Sequence, residues 1–257
     1  MSAPVGVSFS DDNTRVAFRL FHPTGNIITV QTIAALGAGL EALAGNRHLK
    51  LLTIEGVGSD FSFGASIPEH TPELIGNVLP AMHRLIFDIL DVPAVTAAIV
   101  RGRCLGGGFE LALACDLIFA SDDALFGLPE IALGVFPPAA AALLPYRVGG
   151  AIATRAIITG ESRRAVEWHR AGLIEAVAAS ASLETCVDDW FETHLAPRSA
   201  TALRHAASAA RLPLVAQVRR TLPELERLYL DSLMRTEDAV EGVAAFLEKR
   251  APRWKDG

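Results

Sequence analysis

Short, mostly apolar runs recur along most of this chain, at Leu49–Ile54, Ala94–Val100, Leu117–Ala120 and Leu173–Val177. Apolar runs of that length, bounded by turn residues, read as buried strands, and the helical periods between them read as their cover. Helices are expected over Val30–Leu43, Leu74–Leu90 and, after a glycine run, Phe109–Ala114. Two alternating segments, Val5–Phe9 and Thr14–Phe21, open the chain as a hairpin around Ser10-Asp11-Asp12-Asn13, and the Asp122-Asp123 turn leads into another short extended piece. Beyond Pro137 the pattern is nearly all helical. After His194 only amphipathic helices follow, with Leu222, Leu225, Leu228 and Leu233 on the apolar stripe. The fold class is α/β, with a core over residues 1–195 and a helical region over 196–257.

Composition narrows the function. With 257 residues, 51% hydrophobic and 20% charged, the chain has ample material for a packed core. A net charge of −6, from 23 basic and 29 acidic residues, disfavours nucleic acid as a partner. The uncharged stretch Ile131–Tyr146 is broken by Pro137, Pro138 and Pro145, so no membrane span is expected there. The opening MSAPVGVSFSDD carries neither a cationic leader nor a signal-length apolar core, which favours a cytoplasmic location. Cys104, Cys115 and Cys186 lack CxxC spacing, and the histidines (His22, His48, His70, His83, His169, His194 and His205) lack metal-ligand spacing. No metal is expected, Cys104 reads as a small packed hydrophobe, and His70, near the 61–66 loop, could line a pocket but reads rather as a surface residue.

Four local features carry chemistry. Gly106-Gly107-Gly108 follows a buried strand and opens a helix, so unsatisfied N–H groups and the positive dipole end face whatever approaches the turn. The run fits neither GxGxxG nor a phosphate loop, so dinucleotide binding is disfavoured. Glu110 sits in the first turn of that helix. An acid there commonly just complements the dipole, but its neighbours Phe109, Leu111, Ala112 and Leu113 are all apolar. Glu130 follows Pro129 in a run otherwise free of charge from Ala124 to Tyr146. Two carboxyls in apolar settings beside glycine turns can hold one water as acid and base. The loop Phe61-Ser62-Phe63-Gly64-Ala65-Ser66 follows another strand end, so Ala65 and Gly107 can offer two converging amides at one sheet edge, as an oxyanion hole requires. A serine hydrolase is not supported, because GxSxG is absent.

The Gly106–Ala112 and Phe126–Glu130 stretches together, with Thr236-Glu237-Asp238 and Glu241-Gly242 near the end, resemble the crotonase (enoyl-CoA hydratase/isomerase) superfamily over nearly the whole chain. The resemblance implies a spiral of ββα units with a C-terminal helical trimerisation region. It implies an acyl-CoA thioester as substrate, no separate cofactor, and a homotrimer or dimer of trimers. On it, Ala65 and Gly107 are the oxyanion-hole donors and Glu110 and Glu130 the catalytic pair of a hydro-lyase. Phe63, Gly64, Ser66, Ile67, Gly106, Leu133, Phe136 and Lys255 are the substrate-binding residues it suggests. Where typical hydratases carry Gly-Ala-Asp and Gly-Gly-Thr-Gln-Arg-Leu, this chain has Gly64-Ala65-Ser66 and Ala140-Ala141-Ala142-Leu143-Leu144-Pro145. The strings FSFGAS and PEIALGVFPPAAAALLP are instead similar to the branch that hydrates cyclohexa-1,5-dienecarbonyl-CoA in anaerobic aromatic degradation. A cyclic dienoyl-CoA is therefore the expected substrate. A linear enoyl-CoA, and hydrolysis or isomerisation of a ring acyl-CoA, remain open alternatives.

Overall fold

The computed structural model describes residues 3–10 and 12–257. The strands and helices, in chain order, are β1 (Val5–Phe9), β2 (Arg15–Leu20), α1 (Val30–Ala42), β3 (Leu51–Gly56), α2 (Ile75–Leu90), β4 (Val95–Val100), β5 (Arg103–Leu105), α3 (Gly107–Ala114), β6 (Leu117–Ser121), β7 (Leu125–Gly127), α4 (Pro138–Val148), α5 (Gly150–Thr159), β8 (Arg163–Arg164), α6 (Ala165–Arg170), β9 (Ala176–Ala178), α7 (Leu183–His194), α8 (Ala200–Arg227) and α9 (Glu237–Leu247). The opening hairpin forms as β1 against β2, antiparallel; Asp11 of its turn lies outside the described residues.

One sheet runs β1-β2-β3-β4-β6-β9, parallel throughout after the first pair. Its central strands alternate two apolar faces. Leu52, Ile54, Ala98, Val100 and Ile118 face the main core with α1, α2 and α3, while Leu51, Ala97, Ile99 and Phe119 meet Leu183, Val187 and Phe191 of α7. Cover on both faces is why these strands read as mostly apolar runs in the sequence. Helix α3 is buried at all eight positions, so it too lacks a polar face.

A second sheet, β5-β7-β8, contains the short extended piece expected after Asp122-Asp123 as β7, while β5 and β8, of three and two residues, leave no periodicity to read. It matters most for the site. The 61–66 loop is tied to β5 as a further edge: Phe61 N donates to Arg101 O at 2.8 Å, Ser62 N to Arg103 O at 3.0 Å, and Leu105 N to Ser62 O at 2.9 Å. The last expected strand, Leu173–Val177, is displaced to Ala176–Ala178. Leu173 and Ile174 are instead drawn under α6, where Leu173 N donates to Trp168 O and His169 Nδ1 donates to Ile174 O. No helix among the described residues is long and apolar enough to cross a membrane.

The chain ends as a long α8, capped by the Ser199 hydroxyl. It runs into a π-helical turn, Leu228–Ser232, before α9 starts at its Thr236 cap. The inward stripe of this region runs through Leu214, Val218, Leu222 and Tyr229, not through Leu228, which is 52% exposed.

Candidate active site

The stitching of the loop to β5 brings Ala65 against the start of α3. A Cβ built on Gly107 would lie 3.3 Å from Ala65 N, and one on Gly64 would lie 3.5 Å from Gly107 N. On either side of Ala65 the backbone is anchored: Ile28 N donates to Gly64 O, Ser66 N donates to Ile28 O, and Gly64 N donates to the Ser62 hydroxyl. Gly106 N is likewise engaged, with Gly127 O. The Ala65 and Gly107 amides are left, among the described residues, with no acceptor. Two adjacent N–H groups without partners, one of them at a helix N-terminus, form a ready site for a developing oxyanion. The expectation of a single sheet edge needs refining. Ala65 lies well beyond the end of β3, and the second sheet, not the first, carries both donors.

Gly106 makes the acids' approach possible. Its φ of +49° suits glycine, and a Cβ there would sit 2.8 Å from Glu130 Oε1. Glu130 stands on the short 3-10 turn Pro129–Leu133, and its Oε2 is buried without a partner. Glu110, 6% exposed, turns its Oε1 to the Ala140 amide at the start of α4, 2.9 Å away. Burial pushes the Glu110 carboxyl up to about 7 against the pull of the Ala140 and Ala139 amides. Burial first, and then the charge of Glu110, push Glu130 up to about 8. Both acids are thereby poised to hold or release a proton near neutrality, and they titrate as a pair.

Both acids and both amides line one narrow cavity of about 80 Å³. Its walls are otherwise hydrocarbon, from Ile28, Ile33, Ile75, Val78, Leu79, Met82 and Val135 among others. Of the residues expected from the sequence, Phe63, Gly64, Ala65, Ile67, Gly106, Gly107, Glu110, Glu130, Leu133 and Phe136 meet here. Two do not. Ser66 turns away into the fold, buried, with its amide on Ile28 O and its carbonyl on His70. Lys255 is exposed, pairs with Glu237, and lines a separate groove beside α9. Cys104 is packed and buried, with its thiol pushed up by desolvation, as a small hydrophobe should be.

Two cavity residues stand outside the expected site: His70, for which the sequence favours a surface role over a pocket role, and Tyr229. His70 is not a surface residue: it lines the cavity, with Nδ1 2.9 Å from the Ser66 carbonyl. That carbonyl can only accept, so the proton sits on Nδ1; burial lowers the histidine's pKa, leaving Nε2 as an acceptor. Tyr229 enters from the π-helical turn. Extending the three-and-four spacing past Leu222 would have found it, because it continues the buried stripe of α8. A second cleft shares Phe63, Ala65, Ile67, Pro129 and Leu133 with the cavity and opens between this loop and the Gly242–Phe246 side of α9.

Residues 13–257 match the enoyl-CoA hydratase/isomerase family model. A cyclohexa-1,5-dienecarbonyl-CoA hydratase of Thauera aromatica is 43% identical, over 99% of this chain and 98% of that protein. A 2,3-dehydroadipyl-CoA hydratase of Escherichia coli is 34% identical, over 84% of this chain and 85% of that one. The crystal structure of an enoyl-CoA hydratase from Mycobacterium avium subsp. paratuberculosis superposes with a TM-score of 0.87 at 29% identity, covering 99% of each chain. The chain belongs to the enoyl-CoA hydratase/isomerase, or crotonase, family. It is an enzyme of the hydro-lyase type, working on an acyl-CoA thioester.

Proposed function

We propose that the enzyme adds water across a conjugated double bond of a cyclic dienoyl-CoA, with Ala65 and Gly107 on the thioester oxygen and Glu110 and Glu130 handling the water. The observation that carries this reading is the meeting of two acceptor-free amides and two pKa-raised carboxyls in one apolar cavity. As water attacks, negative charge builds on the thioester oxygen, where the two amides stabilise it; one such donor typically lowers a barrier by ~3–4 kcal/mol. The ionised carboxyl of the pair takes a proton from water as the C–O bond forms. The protonated carboxyl gives its proton to carbon, and the two exchange states. A pair in which burial and mutual repulsion keep one member protonated supports that division of labour.

The ring assignment rests on three supports. The strings FSFGAS and PEIALGVFPPAAAALLP are similar to those of the aromatic-degradation branch, the 43%-identical relative is a ring-diene hydratase, and the cavity carries the flat faces of Phe63, Phe136 and Tyr229 on its walls. The coenzyme would follow the second cleft, past Phe63 and Ile67 toward α9. We read the helices beyond residue 195 as an assembly surface for a trimer or dimer of trimers in the cytoplasm. The exposed Tyr146 and Leu228 flank a groove between α4 and α8 that a second copy would cover. Light scattering of the purified enzyme checks that mass.

Turnover of cyclohexa-1,5-dienecarbonyl-CoA against crotonyl-CoA, followed as loss of conjugation, tests the substrate. Preference for the ring supports the assignment, and preference for crotonyl-CoA removes it while leaving hydration in place. Turnover without uptake of solvent oxygen into product would favour isomerisation instead.

A further inference from the structure

The cavity holds one hydroxyl that the hydration scheme leaves idle. Tyr229 is 2% exposed and packs edge-on against Phe136, with ring centroids 5.4 Å apart at 68°. Ile75, Leu79 and Val135 complete its surroundings, so the ring is held by hydrocarbon on all sides. Its hydroxyl nevertheless has no hydrogen-bond partner among the described residues, while the residue lines the same cavity as Glu110 and Glu130. Burial first, and then the charges of Glu130 and Glu110, push the phenol's pKa up, so the group stays protonated and remains a donor. The hydroxyl is not sealed inside the protein but opens to the cavity, where a ligand or water can complete it.

The delivery of this side chain is itself built. Tyr229 lies in the π-helical turn that ends α8, a widening of the helix often found at functional sites. One turn earlier, Glu226 reaches back to α2, with Oε2 2.6 Å from His83 Nδ1. That contact clamps α8 to the helix whose Ile75, Val78, Leu79 and Met82 form the cavity wall.

We infer that Tyr229 is a third polar participant in the reaction: its hydroxyl binds the oxygen that the two glutamates deliver, as water before addition and as the new hydroxyl afterwards. This rests on the hydratase reading above. The phenol keeps its proton throughout. The O–H bond of water breaks toward one carboxyl, the C–O bond forms, and the other carboxyl supplies the proton to carbon. Tyr229 fixes where that oxygen sits, and so discriminates between an unsaturated thioester and its hydrated partner.

Tyr229→Phe keeps the ring and its packing while removing only the donor. We expect kcat for hydration to fall about tenfold or more, with KM for the unsaturated thioester nearly unchanged. Binding provides a second readout that needs no turnover. In an inert Glu110→Gln/Glu130→Gln background, calorimetry would compare crotonyl-CoA with 3-hydroxybutyryl-CoA, and cyclohexa-1,5-dienecarbonyl-CoA with its hydration product. Adding Tyr229→Phe should weaken the hydroxylated member of each pair about tenfold and leave the unsaturated member alone. Equal weakening of both members, or none, overturns the proposal. If the wild-type enzyme hydrates neither substrate, the hydratase reading fails, and the calorimetric comparison still decides whether Tyr229 recognises a hydroxyl.

Discussion

The protein buries two sets of charge, and it treats them in opposite ways. At the base of α3, Asp116 and Arg211 form an ion pair in which little is left over. Asp116 Oδ1 accepts from Arg211 Nε at 2.6 Å, and Oδ2 accepts from Arg211 Nη2 and from the Thr96 amide and hydroxyl. Arg211 spends its remaining donors on the carbonyls of Leu90, Val92 and Ala94. At the other end of the same helix, Glu110 has backbone amides for company and Glu130 Oε2 has no partner at all. The first cluster ties α8 to the sheet and leaves nothing free to react. The second is incomplete as protein and has room for a substrate. In these two clusters the satisfied charge holds structure and the unsatisfied charge marks chemistry.

The largest expected effect tests the first cluster. Arg211→Met strands Asp116 and should cost ~3–5 kcal/mol in chemical denaturation, with the folded fraction keeping its turnover per site. A loss equal to that of an exposed charge would dissolve the contrast. Next come Glu110→Gln and Glu130→Gln, each expected to lower hydration by at least ~10²-fold on general acid–base grounds while folding normally. Full rates in both would remove the chemical role of the pair.

The third prediction concerns pH. Each glutamate has a folded pKa raised above the ordinary value of 4.5, so the folded state holds protons that the unfolded state has released. Stability should therefore fall as pH climbs from about 4.5 to about 8, by up to ~1.4 kcal/mol per pH unit per group, and level off above. The Glu110→Gln/Glu130→Gln double variant should lose that decline, which urea titrations at stepped pH would measure. The opposite slope would mean the acids are stabilised as anions. Smallest of all, Lys255→Ala breaks only an exposed pair with Glu237, and should leave both melting temperature and turnover unchanged within error.

What was legible in the sequence follows the same division. Glu110 and Glu130 stood out because carboxyls in apolar runs beside glycines are local anomalies, visible without knowing the fold. The mostly apolar runs likewise betrayed a sheet covered on both faces. Tyr229 is only half legible: the stripe spacing turns it inward, but a tyrosine on an amphipathic helix breaks no local rule, and only the packing of α8 against α2 makes its inward side a cavity. His70 looked like an ordinary loop histidine until the Ser66 carbonyl fixed its ring. Ser66 was read with its neighbours as contacting substrate, but the bridge to Ile28 rotates it inward. The short strands β5 and β8 are set by partners far along the chain, and no window of local sequence contains them.

The bridge at Ala65 carries a wider consequence. The group it offers to a thioester belongs to the main chain, so residue 65 need only be small enough to leave the cavity open and must not be proline. What must be preserved instead is the scaffolding on either side: Ile28, Ser62, and the glycines that let two backbones come so near. The chemically important atom is therefore defended less by its own side chain than by the residues on either side that fix the course of the backbone.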